Sequence, residues 1–306
     1  MPEGLDSGAR TAASPSLSVL ARPSGSFAML AIDQRETLRT LLVAAGSPGT
    51  DQDLRDFKVA VARALSPAAS AMLVDRDYGL AAISQTGALS PSCGLIVAVD
   101  RFTQPPGGVL EWSELDRDAM TDALAERGAR ALKFLVIWRP DQPASRRADM
   151  VGEFVEGCRR LGLLSVLEGL VQVPSGGLGA DMDAAIQAAA EELGPYRPDL
   201  YKTHVPTHGH GTADEIAAAS QQITEVLSCP WVVLSAGVPV DLFPHAVEAA
   251  CQGGASGFLA GRGVWGPSIK APAPQLDLAT EARSRFERLV AVVDEHARPW
   301  PDVVAR

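Results

Sequence analysis

Eight short apolar runs, separated by longer stretches of helical period, constrain this chain more than any other feature. The runs are Phe27–Ile32, Ala71–Val74, Gly94–Val99, Ala131–Ile137, Leu163–Leu167, Leu200–His204, Trp231–Leu234 and Gly257–Ala260. Each is four to seven residues long and mostly apolar at both odd and even positions. A strand with one wet face alternates; a strand of a parallel sheet, covered on both faces, does not. Between the runs, Asp51–Leu65 repeats apolar residues at Leu54, Phe57, Val61 and Leu65, close to the helical period. Comparable stretches are Asp116–Arg127, Ala148–Leu161, Asp181–Leu193, Ala213–Leu227, Pro239–Gln252 and Leu276–Asp294. Gly128, Gly162, Gly194 and Gly253 follow several of them, where a left-handed helix cap costs glycine little. Only a short helical stretch fits between Gly79 and Ser92.

Eight strands with helices between them predict an α/β fold, a (β/α)8 TIM barrel forming a single domain. The barrel is expected over 26–306. Residues 1–25, rich in Ser, Ala, Gly and Pro, read as a partly flexible N-terminal extension with a helical turn near Leu17 to Ala21. An open doubly wound sheet is the alternative. The evenness of the eight units argues against it, as does the lack of a G-x-G-x-x-G or phosphate-loop element after the first run.

The net charge of −10 argues against nucleic acid or an anionic membrane as the main partner, but leaves room for a small anionic ligand. Cys93, Cys158, Cys229 and Cys251 are widely spaced, with no zinc-site spacing. The first residues lack a secretory pattern, and no run of about 18 apolar residues occurs, so a cytoplasmic protein is expected.

Among 27 basic residues only four are lysines: Lys58, Lys133, Lys202 and Lys270. Lys58 sits on a helical stretch beside Phe57 and Lys270 in a late loop. Lys133 and Lys202, by contrast, interrupt runs that should be buried on both faces. A buried ammonium is costly unless it snorkels, finds a carboxylate or loses its proton. An ordinary lysine, with a pKa of about 10.4, is a poor nucleophile at neutral pH. Burial beside a second cation lowers that value toward roughly 7–8, where the amine attacks carbonyls. Two such lysines, with Glu168 on the strand between them, make a Schiff-base site that needs no metal or other cofactor. The last two runs end in Leu234-Ser-Ala-Gly-Val and Leu259-Ala-Gly-Arg-Gly-Val-Trp. Small residues there let backbone N–H groups approach an oxyanion, as barrels do between strands seven and eight, and Arg262 adds donors suited to phosphate.

These residues resemble the class I aldolases of tagatose 1,6-bisphosphate and of 6-deoxy-6-sulfofructose 1-phosphate. The resemblance runs from about Gly25 to Ala297. It is carried by Phe27-Ala-Met-Leu-Ala-Ile-Asp-Gln-Arg-Glu, Asp56-Phe-Lys, Leu132-Lys-Phe-Leu-Val-Ile-Trp-Arg, Asp199-Leu-Tyr-Lys, Leu234-Ser-Ala-Gly-Val and Ser256-Gly-Phe-Leu-Ala-Gly-Arg-Gly-Val-Trp. It implies that Lys202 forms the Schiff base, with Lys133 and Glu168 as its catalytic neighbours. Asp33, Gln34 and Arg35 fall on the family's Asp-Gln-Arg motif, and Ser235, Gly237, Gly261 and Arg262 would hold the dihydroxyacetone phosphate end. Leu-Val-Ile-Trp-Arg and Ser-Gly-Phe-Leu-Ala-Gly-Arg bring the chain closer to the sulfofructose phosphate branch, so the resemblance implies 6-deoxy-6-sulfofructose 1-phosphate as the expected substrate, sulfolactaldehyde as the second product and a place in sulfoquinovose breakdown, with tagatose 1,6-bisphosphate as the alternative. Val74-Asp-Arg-Asp-Tyr-Gly resembles the tagatose bisphosphate branch, whose second product is glyceraldehyde 3-phosphate. Partners are then sugar phosphates or sulfosugar phosphates, and a homo-oligomer is expected.

One position departs from the family pattern. Where Lys-Val-Glu is common, this chain reads Lys202-Thr203-His204. Positions 202 and 204 share a strand face, so an imidazole replaces a carboxylate near the substrate. His204, His208 and His210 also raise a rival, a metal-dependent lyase with histidine ligands. A sugar phosphate-binding barrel without catalysis would need Lys202 or Glu168 displaced.

Overall fold

All six residues of the first strand, β1 (Phe27–Ile32), are buried, which requires cover on both its faces. A closed sheet with a side-chain core inside and helices outside provides that cover. The computed structural model describes residues 15–103, 110–173 and 182–305. Its further strands are β2 (Ala71–Val74), β3 (Gly94–Ala98), β4 (Asp100–Thr103), β5 (Trp112–Leu115), β6 (Ala129–Trp138), β7 (Leu164–Val171), β8 (Leu200–His204), β9 (Trp231–Leu234) and β10 (Gly257–Ala260). Eight of them close a parallel barrel in the order β1-β10-β9-β8-β7-β6-β3-β2, as expected. Each of the eight apolar runs forms one barrel strand, give or take a few residues at its ends.

The helices are α1 (Glu36–Ala44), α2 (Asp51–Leu65), α3 (Ala81–Gln85), α4 (Asp122–Glu126), α5 (Ala144–Arg160), α6 (Met182–Leu193), α7 (Ala213–Val226), α8 (Phe243–Gln252), α9 (Arg262–Ile269), α10 (Pro274–Asp277), α11 (Arg283–His296) and α12 (Trp300–Val304). Helix α2 has the expected bounds because Thr50 and Asp53 close a capping box at its start. A second box, Thr212 with Glu215, starts α7.

Two expectations are corrected. The helix read over Asp116–Arg127 begins only at Asp122, because Asp116 belongs to the foot of an antiparallel hairpin, β4–β5, that the sequence patterns did not reveal. The helix expected over Leu276–Asp294 is present as a continuous run from Pro274 to His296, with one wider turn at Leu278–Ala282. Gly128 and Gly162 take the left-handed cap, but Gly194 and Gly253 do not: Gly194 opens a short 3-10 turn, and Gly254 replaces Gly253 with φ +103°. Gly253 is required for closeness, since a Cβ there would lie 2.4 Å from the carbonyl oxygen of Ala217.

Residues 1–14 of the expected extension lie outside the described residues. Of the rest, a short helical turn, Leu17–Val19, lies across the barrel end opposite the strand C-termini. Leu17 and Leu20 are buried and join Phe27, Met29, Leu73, Leu164 and Leu200 in the cluster that fills the barrel interior. A larger cluster packs the outer strand faces against the helices.

Candidate active site

Strand periodicity builds the site. Inside the barrel lie Phe27, Met29 and Ala31 of β1, Ile96 and Ala98 of β3, Ala131 of β6, Leu164 and Val166 of β7, and Leu200 of β8. Two residues further on, the same side of each chain carries Asp33, Asp100, Lys133, Glu168 and Lys202. The apolar lower layers are thus followed by a charged upper layer at the C-terminal ends of the strands, where barrels carry chemistry.

Lys133 is fully buried, and its Nζ lies 3.0 Å from each of Asp33 Oδ2, Asp100 Oδ2 and Glu168 Oε2. Lys202 pairs in register with Glu168 across the β7–β8 ladder, and its Nζ lies 2.9 Å from the same Oε2. Glu168 therefore bridges the two lysines. Burial alone would neutralise Lys133, but Asp100, Asp33 and Glu168 outweigh it and hold the ammonium well above the usual lysine range. Burial would likewise raise Asp33 and Glu168, yet the two lysines carry both carboxyls below their ordinary values. Burial prevails at Asp100 and pushes its carboxyl up, against the pull of Lys133 and Arg35. Arg35 donates to the Asp100 carbonyl at 3.0 Å and pairs with Asp77 at 3.1 Å.

These groups line a cavity of about 610 Å³ together with Gln34, Ser235, Gly261 and Arg262. The Oε1 of Gln34 is buried without a hydrogen-bond partner among the described residues, so one acceptor stands open. At the β9–β10 side no side chain caps α9, whose cap residue is Gly261. The Gly263 N–H donates to Ser235 Oγ at 3.2 Å, and Arg262 is exposed at the rim. That corner offers backbone N–H groups, a hydroxyl and a guanidinium to an anion.

Nine of the eleven sequence-derived site residues meet in this cavity: Lys202, Glu168, Lys133, Asp33, Gln34, Arg35, Ser235, Gly261 and Arg262. His204 and Gly237 do not line it. His204 is buried one layer above Lys202, but its Nε2 accepts the Val171 N–H at 3.2 Å and its ring meets His208 edge-on at 5.9 Å. Burial and His208 push its pKa down to about 4, so the ring is neutral at physiological pH. Gly237, at φ +82°, turns beneath the His208 ring. The three histidines do not converge: His210 is exposed, and no group of three His, Cys, Asp or Glu residues is placed to hold a metal among the described residues.

Two buried charged residues at the site went unrecognised. Asp100 stood among the polar strand ends, but no pattern tied it to Lys133. Lys58 was set apart as an outlying lysine, whereas it is fully buried, donates to the carbonyls of Ile32 and Gln34 at 2.6 and 2.7 Å, and pairs with Asp75 at 2.6 Å. It grips the backbone on both sides of Asp33. The available signal was its place four residues after Leu54, on the apolar stripe of α2.

Comparison with known proteins agrees with this geometry. The pattern described as DeoC/LacD family aldolase matches residues 27–266. The chain is 29% identical over 312 residues to a tagatose 1,6-diphosphate aldolase of Listeria monocytogenes, covering 92% of this chain and 91% of that protein. It is 26% identical to tagatose 1,6-diphosphate aldolase 2 of Enterococcus faecalis, covering 92% and 93%. A fructose-bisphosphate aldolase of Plasmodium falciparum shares the fold at TM-score 0.70 and 12% identity, over 92% of this chain and 93% of that one.

Proposed function

This chain belongs to the DeoC/LacD family of aldolases and is a carbon–carbon lyase, and from that premise we propose that it cleaves a ketose 1-phosphate through a Schiff base on Lys202. The observation that carries the reading is the in-register pair of Lys202 and Glu168, 2.9 Å apart inside the cavity, beside a permanently charged Lys133. In this reading 26–306 acts as one aldolase domain.

Glu168 takes the ammonium proton of Lys202, and the free amine adds to the C2 ketone. Glu168 returns that proton to the carbinolamine hydroxyl, which departs as water; this restores the carboxylate and leaves an iminium, an electron sink conjugated to the bond that breaks. Glu168 then removes the proton of the C4 hydroxyl, the C3–C4 electron pair moves into the iminium, and an aldehyde leaves. The remaining enamine of dihydroxyacetone phosphate is protonated and hydrolysed to free Lys202. Lys133 keeps its charge throughout, held by Asp33, Asp100 and Glu168. Gln34 Oε1 accepts a substrate hydroxyl, while Ser235, the α9 N-terminus and Arg262 hold the C1 phosphate.

Tagatose 1,6-bisphosphate is the substrate favoured by the names of the relatives. Sulfofructose 1-phosphate is the second reading, favoured by the Leu135-Val-Ile-Trp-Arg and Ser256-Gly-Phe-Leu-Ala-Gly-Arg motifs. Borohydride in the presence of dihydroxyacetone phosphate should add a stable mass at Lys202; absence of that adduct overturns the Schiff-base reading. A kinetic panel of the two substrates separates the readings of the far end.

A further inference from the structure

The β4–β5 hairpin is not needed to close the barrel, yet it and its flanks bring Asp100, Arg101, Phe102, Leu110 and Asp116 into the cavity. It leaves the sheet directly after β3. In the closed ring β3 stands four places from β9, which carries Ser235, so the hairpin faces the phosphate corner from the opposite wall. Next to it, at the end of β2, Arg76 also lines the cavity.

Asp116, at the foot of the hairpin, has a buried carboxylate that engages two guanidiniums. Its Oδ1 lies 2.8 Å from Arg101, and its Oδ2 pairs with Arg76. Asp116 and the exposed Asp118, 3.8 Å from Arg101, are the carboxylates paired with these two arginines, and together they occupy few of the ten N–H donors. The Nε of Arg76 is buried without a hydrogen-bond partner among the described residues, and the Arg101 side chain is 62% exposed toward the mouth. Guanidiniums with spare donors, fixed by a buried anion, match a tetrahedral oxyanion.

We propose that Arg76 and Arg101, braced by Asp116, bind a tetrahedral oxyanion, phosphate or sulfonate, at the substrate end remote from the carbonyl. The pair thereby sets a preference for ketose 1-phosphates charged at both ends. The proposal rests on the Schiff-base reading, which puts the carbonyl at Lys202 between the two corners. Asp116 is a positioning residue: it touches the arginines and not the substrate.

The test compares three ketose 1-phosphates that end in phosphate, sulfonate or a neutral hydroxyl. The wild type should favour the charged ends. In Arg101→Met and in Arg76→Met the charged-to-neutral ratio should fall at least tenfold, carried mainly by KM, with Arg101→Lys between them and the wild type. The charged end that loses more identifies the group the site reads. The ratio is measured both as kcat/KM and as Kd by calorimetry. An unchanged ratio in Arg101→Met, whose side chain is exposed and whose loss the fold should tolerate, overturns the proposal, as does a wild type without preference. Failure of the Schiff-base reading shows separately, as no borohydride adduct at Lys202, and the Kd ratio then still decides for or against the arginine pair.

Discussion

The Nζ of Lys202 lies 2.9 Å from Oε2 of Glu168, directly across the β7–β8 ladder. In the proposed reaction, the attacking amine and the carboxylate that takes its proton are thus set by strand register and not by a loop. Glu168→Gln keeps the shape and removes the proton acceptor. Its kcat should fall about 10²–10⁴-fold. Borohydride trapping at Lys202 should still occur, more slowly. Rapid-quench trapping beside steady-state rates separates the two effects, and an unaltered kcat would remove Glu168 from the mechanism.

Lys133 is the sole cation touching Asp33, Asp100 and Glu168 together among the described residues. Lys133→Met leaves three buried carboxylates facing one another and should destabilise the fold by about 3–5 kcal/mol. The variant should regain stability as pH falls, because protonation relieves the repulsion. Urea midpoints at pH 5 and pH 8 check the magnitude and the sign.

His204 titrates near pH 4 in the fold and near the ordinary histidine value once unfolded. Between those values the unfolded chain binds the extra proton, so stability rises with pH across that window. Below pH 4 the contribution is lost. His204→Gln should flatten this part of the curve, worth a few kcal/mol. Thermal midpoints of both proteins from pH 4 to pH 7 measure it; parallel curves would mean that the ring is not buried neutral.

Gly257 opens β10 at φ +139°, and a Cβ there would sit 2.0 Å from the carbonyl oxygen of Phe27 on β1. Neither backbone can move without opening the barrel seam. Gly257→Ala should therefore cost at least about 3 kcal/mol. Chemical denaturation checks it, and a loss below 1 kcal/mol would mean that the seam is compliant.

The barrel was legible because its strands are buried on both faces, which writes each one as a short run such as Ala71–Val74 regardless of its partner. The charged layer was legible for a related reason: a lysine inside such a run, as at Lys133 and Lys202, contradicts its surroundings and needs a cause. The hairpin was not legible. Its strands Asp100–Thr103 and Trp112–Leu115 are short, half-exposed and rich in charge, so nothing in their period separates them from loop.

Local pattern, then, determined the eightfold architecture, the two interior lysines with Glu168 between them, and the small-residue corner at Ser235 and Gly261. Each follows from chain-local rules of burial and strand parity. Tertiary structure decided which charges meet. It placed Asp100 on Lys133 across 33 positions of sequence and Lys58 under Asp33, and it turned His204 toward the Val171 N–H and away from the cavity. Such pairings depend on the register between distant strands and on which side chain reaches a buried partner first, and no periodicity along the chain carries that information.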